Sequence, residues 1–179
     1  IRPCDWSSDV CSSDLGIDDR LIVRSVERVL QRFGVAAGGV VRTKSEIPLA
    51  RGLKSSSSAA NAAVLATLDA LGEELDPLEA TRIGVAAAKD AGVTITGAFD
   101  DAAASMLGGV VVTDNREMKL LRREELESQV LLLVPEEKLF SKDTDVGRSR
   151  LLAPVADLIF DLALAGDYER AMTLNGLAY

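Results

Sequence analysis

Residues 47–61, IPLARGLKSSSSAAN, decide how this chain folds, because a glycine and serine loop leads directly into an alanine-rich helical run. The first turn of a helix leaves four backbone N–H groups without internal partners, and the helix dipole adds about half a positive charge there. Gly52 lets the backbone turn sharply, and serine hydroxyls can bind an anion or a magnesium ion. Lys54 adds a positive charge. The loop therefore predicts a site for a phosphate group.

A serine-rich cap on an ordinary buried helix is the alternative interpretation of these residues, since serine is among the preferred N-cap residues. One serine is enough for a cap, whereas four follow Lys54. The loop has neither the Gly-Lys-Ser/Thr ending of a Walker motif nor the G-x-G-x-x-G pattern of dinucleotide-binding folds. On the residues alone, anion binding and capping both stay open.

Periodicity and end signals predict three helices around this loop. The first starts at Asp18 or Asp19 and stops at Gly34, the second runs to about Leu71, and the third follows an Asp76 N-cap to about Ala91. We expect the alanines at 59–66 and 86–88 to be buried at helix contacts. The other expected elements are strands at 39–47, 110–113 and 130–134, a turn at 114–115, a polar loop at 141–149, and helices at about 148–164 and 168–178. This mixture predicts an α/β or α+β domain.

Composition excludes several classes of function. The charge of 20 minus 28, or −8, argues against a nucleic-acid partner, and 4% aromatic residues offer few platforms for stacking bases. No histidine is present, so catalysis by a Ser-His-Asp triad is impossible and must use Asp, Lys, Ser or a metal. No run is apolar enough to span a membrane. We expect a soluble, cytoplasmic protein with one sizeable core.

The first fifteen residues, IRPCDWSSDVCSSDL, differ from the rest of the chain. They lack apolar periodicity and the hydrophobic centre of a signal peptide, and they resemble a translated sequencing adapter fused to a reading frame. Both cysteines, Cys4 and Cys11, lie in this segment, so neither a disulfide nor a thiolate metal site is expected elsewhere. We exclude residues 1–15 from fold reasoning.

Residues 48–60, PLARGLKSSSSAA, resemble the second, phosphate-binding motif of the GHMP kinases. Most of that superfamily has Gly-Leu-Gly-Ser-Ser here, whereas Gly-Leu-Lys-Ser-Ser-Ser after Ser-Glu-Ile-Pro is similar to the archaeal shikimate kinase branch. Residues 96–109, TGAFDDAAASMLGG, resemble the aspartate-bearing segment of the same branch. Residues 150–154, 166–168 and 173–177 resemble its C-terminal helices.

The resemblance implies an ATP- and Mg²⁺-dependent shikimate kinase that phosphorylates the 3-hydroxyl of shikimate. It implies an α+β protein with the two-layer α/β fold of the superfamily. The N-terminal domain, over 16–125, would be ribosomal-protein-like, and 126–179 would be the start of a ferredoxin-like domain. We expect both to be incomplete, with the first and third motifs outside the chain, and the isolated chain to aggregate and be inactive. The nucleotide contacts it implies are Pro48, Gly52, Leu53, Lys54, Ser55, Ser56, Ser57 and Ser58, with Ser56 and Ser57 at the metal.

Asp100 and Asp101 are the candidate catalytic acids, since a carboxylate near the acceptor hydroxyl can orient it or take its proton. The alternative is that both are first-turn charges that complement a helix dipole. The resemblance favours Asp100, because its spacing from Gly97 matches the galactokinase pattern, whereas counting back from Gly108 fits mevalonate kinase better with Asp101. We keep both. Weaker candidates are Asp90 for magnesium and Arg42, Lys44 and Arg51 for an anionic substrate.

Three other functions stay open, the first of them within the family that the chain resembles. Homoserine kinase or another GHMP kinase differs in the alcohol that accepts phosphate. A non-catalytic anion-binding module would retain its ligand after both aspartates are replaced. A serine hydrolase would need a lysine and a serine in hydrogen-bond reach, but Lys54 is adjacent to the serines and points elsewhere if the helix starts here.

Overall fold

The fold was analysed in a computed structural model that describes residues 19–48, 51–94, 97–134 and 151–178. These ranges combine helices with a small antiparallel sheet, which confirms the α+β prediction at that level. In chain order the elements are α1 Asp19–Arg32, α2 Ser55–Leu71, α3 Pro77–Asp90, α4 Phe99–Leu107, β1 Val110–Asp114, β2 Lys119–Glu124, α5 Ala153–Ala165 and α6 Tyr168–Ala178.

Helices α1, α2 and α3 pack on one another around a core of aliphatic side chains. Val29, Val64, Leu68 and Ala80 are buried together at their centre. The buried positions of α1 recur every three or four residues, so one side of the helix faces this core, as its periodicity predicts. Burying a Val or Leu side chain stabilises a fold by about 1.5–3 kcal/mol, so this contact fixes the three helices.

The arginines of α1 lie on its outer side and connect it to α3. Arg28 Nε lies 2.6 Å from Asp90 Oδ2, and Arg32 Nη2 lies 2.8 Å from Glu79 Oε1. All four side chains are more than a third exposed. Exposed pairs of this kind add little stability, so the apolar contact dominates the packing of α1.

The ends of α2 and α3 follow their predicted signals. Gly72 ends α2 with φ 69°, a left-handed conformation that glycine adopts without strain. Asp76 caps α3, because its carboxylate accepts hydrogen bonds from the backbone of Leu78 at 2.9 Å and Glu79 at 3.3 Å. Pro77 occupies the first turn.

Helix α4 packs against α2, α3 and β1. Phe99 at its start is fully buried with Val85, and the guanidinium carbon of Arg82 lies 5.8 Å from the centre of the Phe99 ring. β1 pairs with β2 in antiparallel register, and a turn over 115–118 joins them, so Asp114, predicted in the turn, is the last residue of β1. Arg82 also donates to the carbonyl of Met118 at 3.1 Å, so α3 holds both α4 and the turn.

Helices α5 and α6 pack on each other and contact β2 through Arg122. Arg122 Nε donates to the Tyr168 hydroxyl at 2.9 Å, and Nη1 donates to the Leu164 carbonyl at 3.0 Å. The Tyr168 hydroxyl donates to Glu124 at 2.9 Å, and Glu124 also pairs with Arg122. The predicted bounds of α6 are confirmed, whereas α5 begins at Ala153, and residues 148–150 lie outside the described ranges.

Two predicted strands are wrong. Residues 39–47 and 130–134 form neither strand nor helix, and Val40 and Leu131 are 81% and 96% exposed. Their apolar residues suit a sheet, but a strand needs a neighbour for its backbone N–H and C=O groups. Within the described ranges, the sheet contains β1 and β2 alone.

The alanines of α2 are buried on one side of the helix only. Ala60 and Ala63 are buried, whereas Ala62 and Ala66 are exposed and Leu65 is 48% exposed. The prediction that 59–66 is buried throughout is therefore wrong, because only one face of α2 meets α1, α3 and α4.

The predicted polar loop at 141–149 and the excluded segment 1–15 lie outside the described residues. Of the helices that are described, none combines the length and the hydropathy needed to cross a lipid bilayer.

Candidate functional site

The loop before α2 adopts the sharp turn that its glycine predicts. Gly52 has φ 77°, and nothing lies within 4 Å of the place where a Cβ would be. Lys54 occupies the N-cap position, and its carbonyl accepts from the backbone of Ser57 at 3.1 Å and Ser58 at 3.3 Å. In the described structure no side chain caps α2. The four serines lie inside the helix rather than at its N-cap, and the N–H groups at a helix start can bind an external anion.

Lys54 itself has a left-handed backbone, with φ 55° and ψ 40°. This conformation costs a residue with a Cβ roughly 1–2 kcal/mol and costs glycine little. The Lys54 ammonium lies 3.0 Å from Oδ2 of Asp101, so the side chain connects the loop to α4. Of the two predicted acids, Asp101 is therefore the one brought to the loop.

The two acids of α4 face different surroundings because successive helical residues point about 100° apart. Buried Phe99 sets the rotation of the helix. The Asp101 side chain is only 19% exposed and faces α2 through Lys54, whereas Asp100 is exposed to solvent. The structure thus separates two neighbours that the sequence could not distinguish.

Burial raises the pKa of Asp101 above its ordinary value. The hydrogen bond from Lys54 opposes this by favouring the carboxylate, and the nearby charge of Asp100 adds to the rise. A raised pKa makes Asp101 a better proton acceptor than an ordinary exposed aspartate when it is ionised.

Asn115, in the turn after β1, supports the start of α4. Its Oδ1 accepts the backbone N–H of Asp100 at 2.9 Å and the hydroxyl of Thr113 at 3.1 Å. No residue of α4 caps the helix with its own side chain, so Asn115 supplies an acceptor from another element. Sequence reasoning assigned Asn115 only to a turn, because its partner lies far along the chain.

Two further polar contacts fix α2 against α4. The hydroxyls of Ser58 and Ser105 are 3.0 Å apart, and Asn61 Nδ2 donates to the Ala102 carbonyl at 2.9 Å. The hydroxyl of Ser58 therefore already has a hydrogen-bond partner on α4. Ser105 was missed at the sequence level, since nothing local marks it as a partner of the loop.

The remaining predicted site residues have other surroundings. Asp90 pairs with Arg28, whose hydrogen bond lowers the pKa of that carboxylate, as expected for a solvated charge near a helix end. Lys44 faces Glu46 at 3.9 Å, with both side chains almost fully exposed. Arg42 and Pro48 are exposed, whereas Arg51 and Leu53 are partly buried at the loop.

Magnesium would have to be held by few protein ligands here. Across the described ranges, no group of three or more His, Cys, Asp or Glu side chains is placed to hold a metal ion. Mg²⁺ at nucleotide sites is usually bound by one or two protein oxygens together with phosphates and water. The exposed Ser56 and the partly buried Ser57 offer hydroxyl oxygens of that kind, so these residues fit this ion.

Comparison with known proteins gives one family and a consistent set of relatives. Residues 20–109 match the family model described as GHMP kinases N terminal domain. The chain is 68% identical over 164 residues to a shikimate kinase of Methanothrix thermoacetophila, covering 92% of this chain and 57% of that protein. It is 65% identical over 162 residues to a shikimate kinase of Methanosarcina mazei, covering 90% and 55%.

A more distant relative gives the same description. The chain is 58% identical over 164 residues to a shikimate kinase of Halobacterium salinarum, covering 90% of this chain and 58% of that protein. The chain thus spans about half the length of the curated relatives it matches. No solved structure matches.

Proposed function

Since this chain belongs to the GHMP kinases, we propose that it is part of a shikimate kinase, which transfers the γ-phosphate of ATP to the 3-hydroxyl of shikimate. The observation that carries the proposal is the 58–68% identity to shikimate kinases over about nine tenths of the chain. The contact between the glycine and serine loop and Asp101 supports it independently.

The loop and the first turn of α2 bind the phosphates of ATP in this proposal. Gly52 turns the backbone toward the ligand, and the first-turn N–H groups donate to phosphate oxygens. Ser55, Ser56 and Ser57 add hydroxyl donors. Most of the catalytic effect in phosphoryl transfer comes from positioning and from neutralising charge on the transferred group, and this arrangement provides both.

Ser56 and Ser57 would hold Mg²⁺ together with the phosphates. When bound, the ion neutralises charge on the β- and γ-phosphate oxygens. Ser58 is a poorer metal ligand, because its hydroxyl already contacts Ser105. Of the four serines, the first three are therefore the ones available to the nucleotide.

An acid on α4 receives the proton of the acceptor hydroxyl. Asp100 and Asp101 are both candidates, and the burial of Asp101 beside the loop favours it. Loss of a general base of this kind lowers turnover by about 10²–10⁴-fold. We also propose the superfamily's two-layer architecture, with the domain division at 125/126, and a cytoplasmic enzyme that acts on a small molecule.

The test is ATP turnover by the protein extended to the full length of its relatives, with shikimate and with homoserine as separate acceptors. We expect ADP release that depends on shikimate and falls by at least about 100-fold in Asp101→Asn. Homoserine-dependent release would assign a different GHMP substrate. ATP binding without turnover on either alcohol would favour a non-catalytic anion-binding module.

A further inference from the structure

We propose that Lys54 is a positioning residue that holds the Asp101 carboxylate at the phosphate loop, so that Asp101 rather than Asp100 receives the proton of the acceptor. This inference rests on the proposed phosphoryl transfer. It assigns to Lys54 a role that differs from direct phosphate binding, because Lys54 acts through another residue.

The geometry places Lys54 between the two halves of the site. Its backbone carbonyl accepts the N–H groups of Ser57 and Ser58, so residue 54 belongs to the turn that begins α2. Its ammonium lies 3.0 Å from Asp101 on α4, and 55% of the Lys54 side chain is exposed while only 19% of the Asp101 side chain is. The Lys54 side chain is therefore largely accessible to solvent, whereas the Asp101 side chain that it contacts is mostly shielded.

The backbone at residue 54 favours glycine rather than lysine. With φ 55° and ψ 40°, a Cβ at this position is strained, and glycine would form the same turn without that strain. The lysine side chain is thus not explained by the turn. Its ion pair with Asp101 is the interaction that glycine could not make.

The backbone that carries Asp101 is fixed by other contacts, so only the Asp101 side chain remains to be positioned. Phe99 is fully buried and anchors the first turn of α4, and Asn115 binds the Asp100 backbone. The backbone below the acid is therefore fixed, and the remaining freedom of Asp101 is rotation of its side chain. A hydrogen bond from Lys54 removes that freedom and directs the carboxylate toward the loop.

The chemical step balances without another reactant. The O–H bond of the acceptor hydroxyl breaks, and its proton moves to the Asp101 carboxylate. At the same time, the hydroxyl oxygen of the acceptor forms a new bond to the γ-phosphorus of ATP. The bond from the γ-phosphorus to the bridging oxygen breaks, and ADP leaves with its electron pair. Lys54 stays protonated throughout and holds the acid in position.

The experiment is a double-mutant cycle of Lys54 and Asp101, measured by steady-state kinetics on the protein extended to the full length of its relatives. Lys54→Met removes the ammonium and keeps the strained backbone, Lys54→Gly removes both, and Lys54→Arg keeps a cation. We expect kcat to fall about 10–100-fold in Lys54→Met and Lys54→Gly, with KM for ATP changed less than about threefold, and Lys54→Arg to recover most of the loss.

In the Asp101→Asn background, Lys54→Met should lower kcat by less than about threefold further, because the residue through which Lys54 acts is gone. Asp100→Asn is the matched control and should leave the Lys54 effect intact. The inference would be overturned if Lys54→Met lowered kcat equally in the unsubstituted protein and in Asp101→Asn, or if it mainly raised KM for ATP. Either result would assign Lys54 to the phosphate. If the unsubstituted protein shows no shikimate-dependent ADP release, the proposed function itself fails.

Discussion

Gly84 of α3 packs against Asn61 and Ala60 of α2, and replacing it with alanine should destabilise the helical core. A Cβ at residue 84 would meet Asn61 Oδ1 at 3.3 Å and Ala60 Cβ at 3.5 Å. The first distance is tighter than an ordinary van der Waals contact, so one of the two groups must move.

Two effects oppose each other in this substitution. Alanine is better than glycine in a helix interior by about 0.8–1.0 kcal/mol. Overpacking a dense core costs about 1–3 kcal/mol. The balance depends on whether Asn61 can move, and its Nδ2 hydrogen bond to the Ala102 carbonyl at 2.9 Å holds it in place while Oδ1 has no hydrogen-bond partner among the described residues.

Moving Asn61 would weaken a buried hydrogen bond worth about 1 kcal/mol. The gain in helix propensity offsets about 1 kcal/mol of these costs, so we expect Gly84→Ala to lower the free energy of unfolding of the α2–α3 unit by about 1–3 kcal/mol. Native-state hydrogen exchange of the α2 and α3 amides measures this, since protection reports the local opening free energy.

Gly176→Ala in α6 is the control for helix propensity. Nothing lies within 4 Å of the Cβ that this substitution adds, so it should stabilise α6 by up to about 1 kcal/mol. In an Asn61→Ala background, Gly84→Ala should be less destabilising, because the opposing oxygen is absent. If Gly84→Ala raised protection as Gly176→Ala does, the contact with Asn61 would not be restrictive and the reasoning would be refuted.

Three further predictions concern the helix cap, the acid and the exposed apolar segment. Asp76→Ala should destabilise α3 by about 1 kcal/mol through loss of its N-cap, seen as faster hydrogen exchange of the first-turn amides, and unchanged exchange would contradict this. Because burial raises the pKa of Asp101, and Lys54 only partly offsets it, kcat/KM should fall as the pH decreases through a value above that of an ordinary aspartate; a profile unchanged in Asp101→Asn would exclude this base. Leu131 and Leu133 are 96% and 90% exposed, so replacing both with lysine should reduce self-association of the isolated chain, measured by light scattering. Unchanged scattering would show that another surface drives the association.

The helices were predictable from the sequence because their signals are local. Asp76, Pro77 and Gly72 form caps with neighbours a few residues away, so the sequence contains both partners of each interaction. The strand at 130–134 was predicted wrongly for the opposite reason. A run of apolar residues shows that a segment can be buried, but the partner that would pair with it is not visible in the run.

The candidate site divides in the same way. The turn at Gly52 and the start of α2 follow from consecutive residues. The ion pair of Lys54 with Asp101 and the support from Asn115 join segments that are distant in the chain, so neither could be predicted from spacing. The orientation of Asp101 also depends on burial of Phe99, which is a property of the packed core.

Asn115 has a consequence for how this chain tolerates changes in length. Turns between antiparallel strands usually accept inserted residues, because they project into solvent. Here one oxygen of Asn115 binds both Thr113 and the Asp100 backbone, so the turn also serves as the cap of α4. An insertion between Asp114 and Asn115 would lengthen the hairpin after the last paired residue of β1, yet it would move Asn115 away from the helix that carries Asp101. Insertions at this hairpin should therefore impair function before they impair folding.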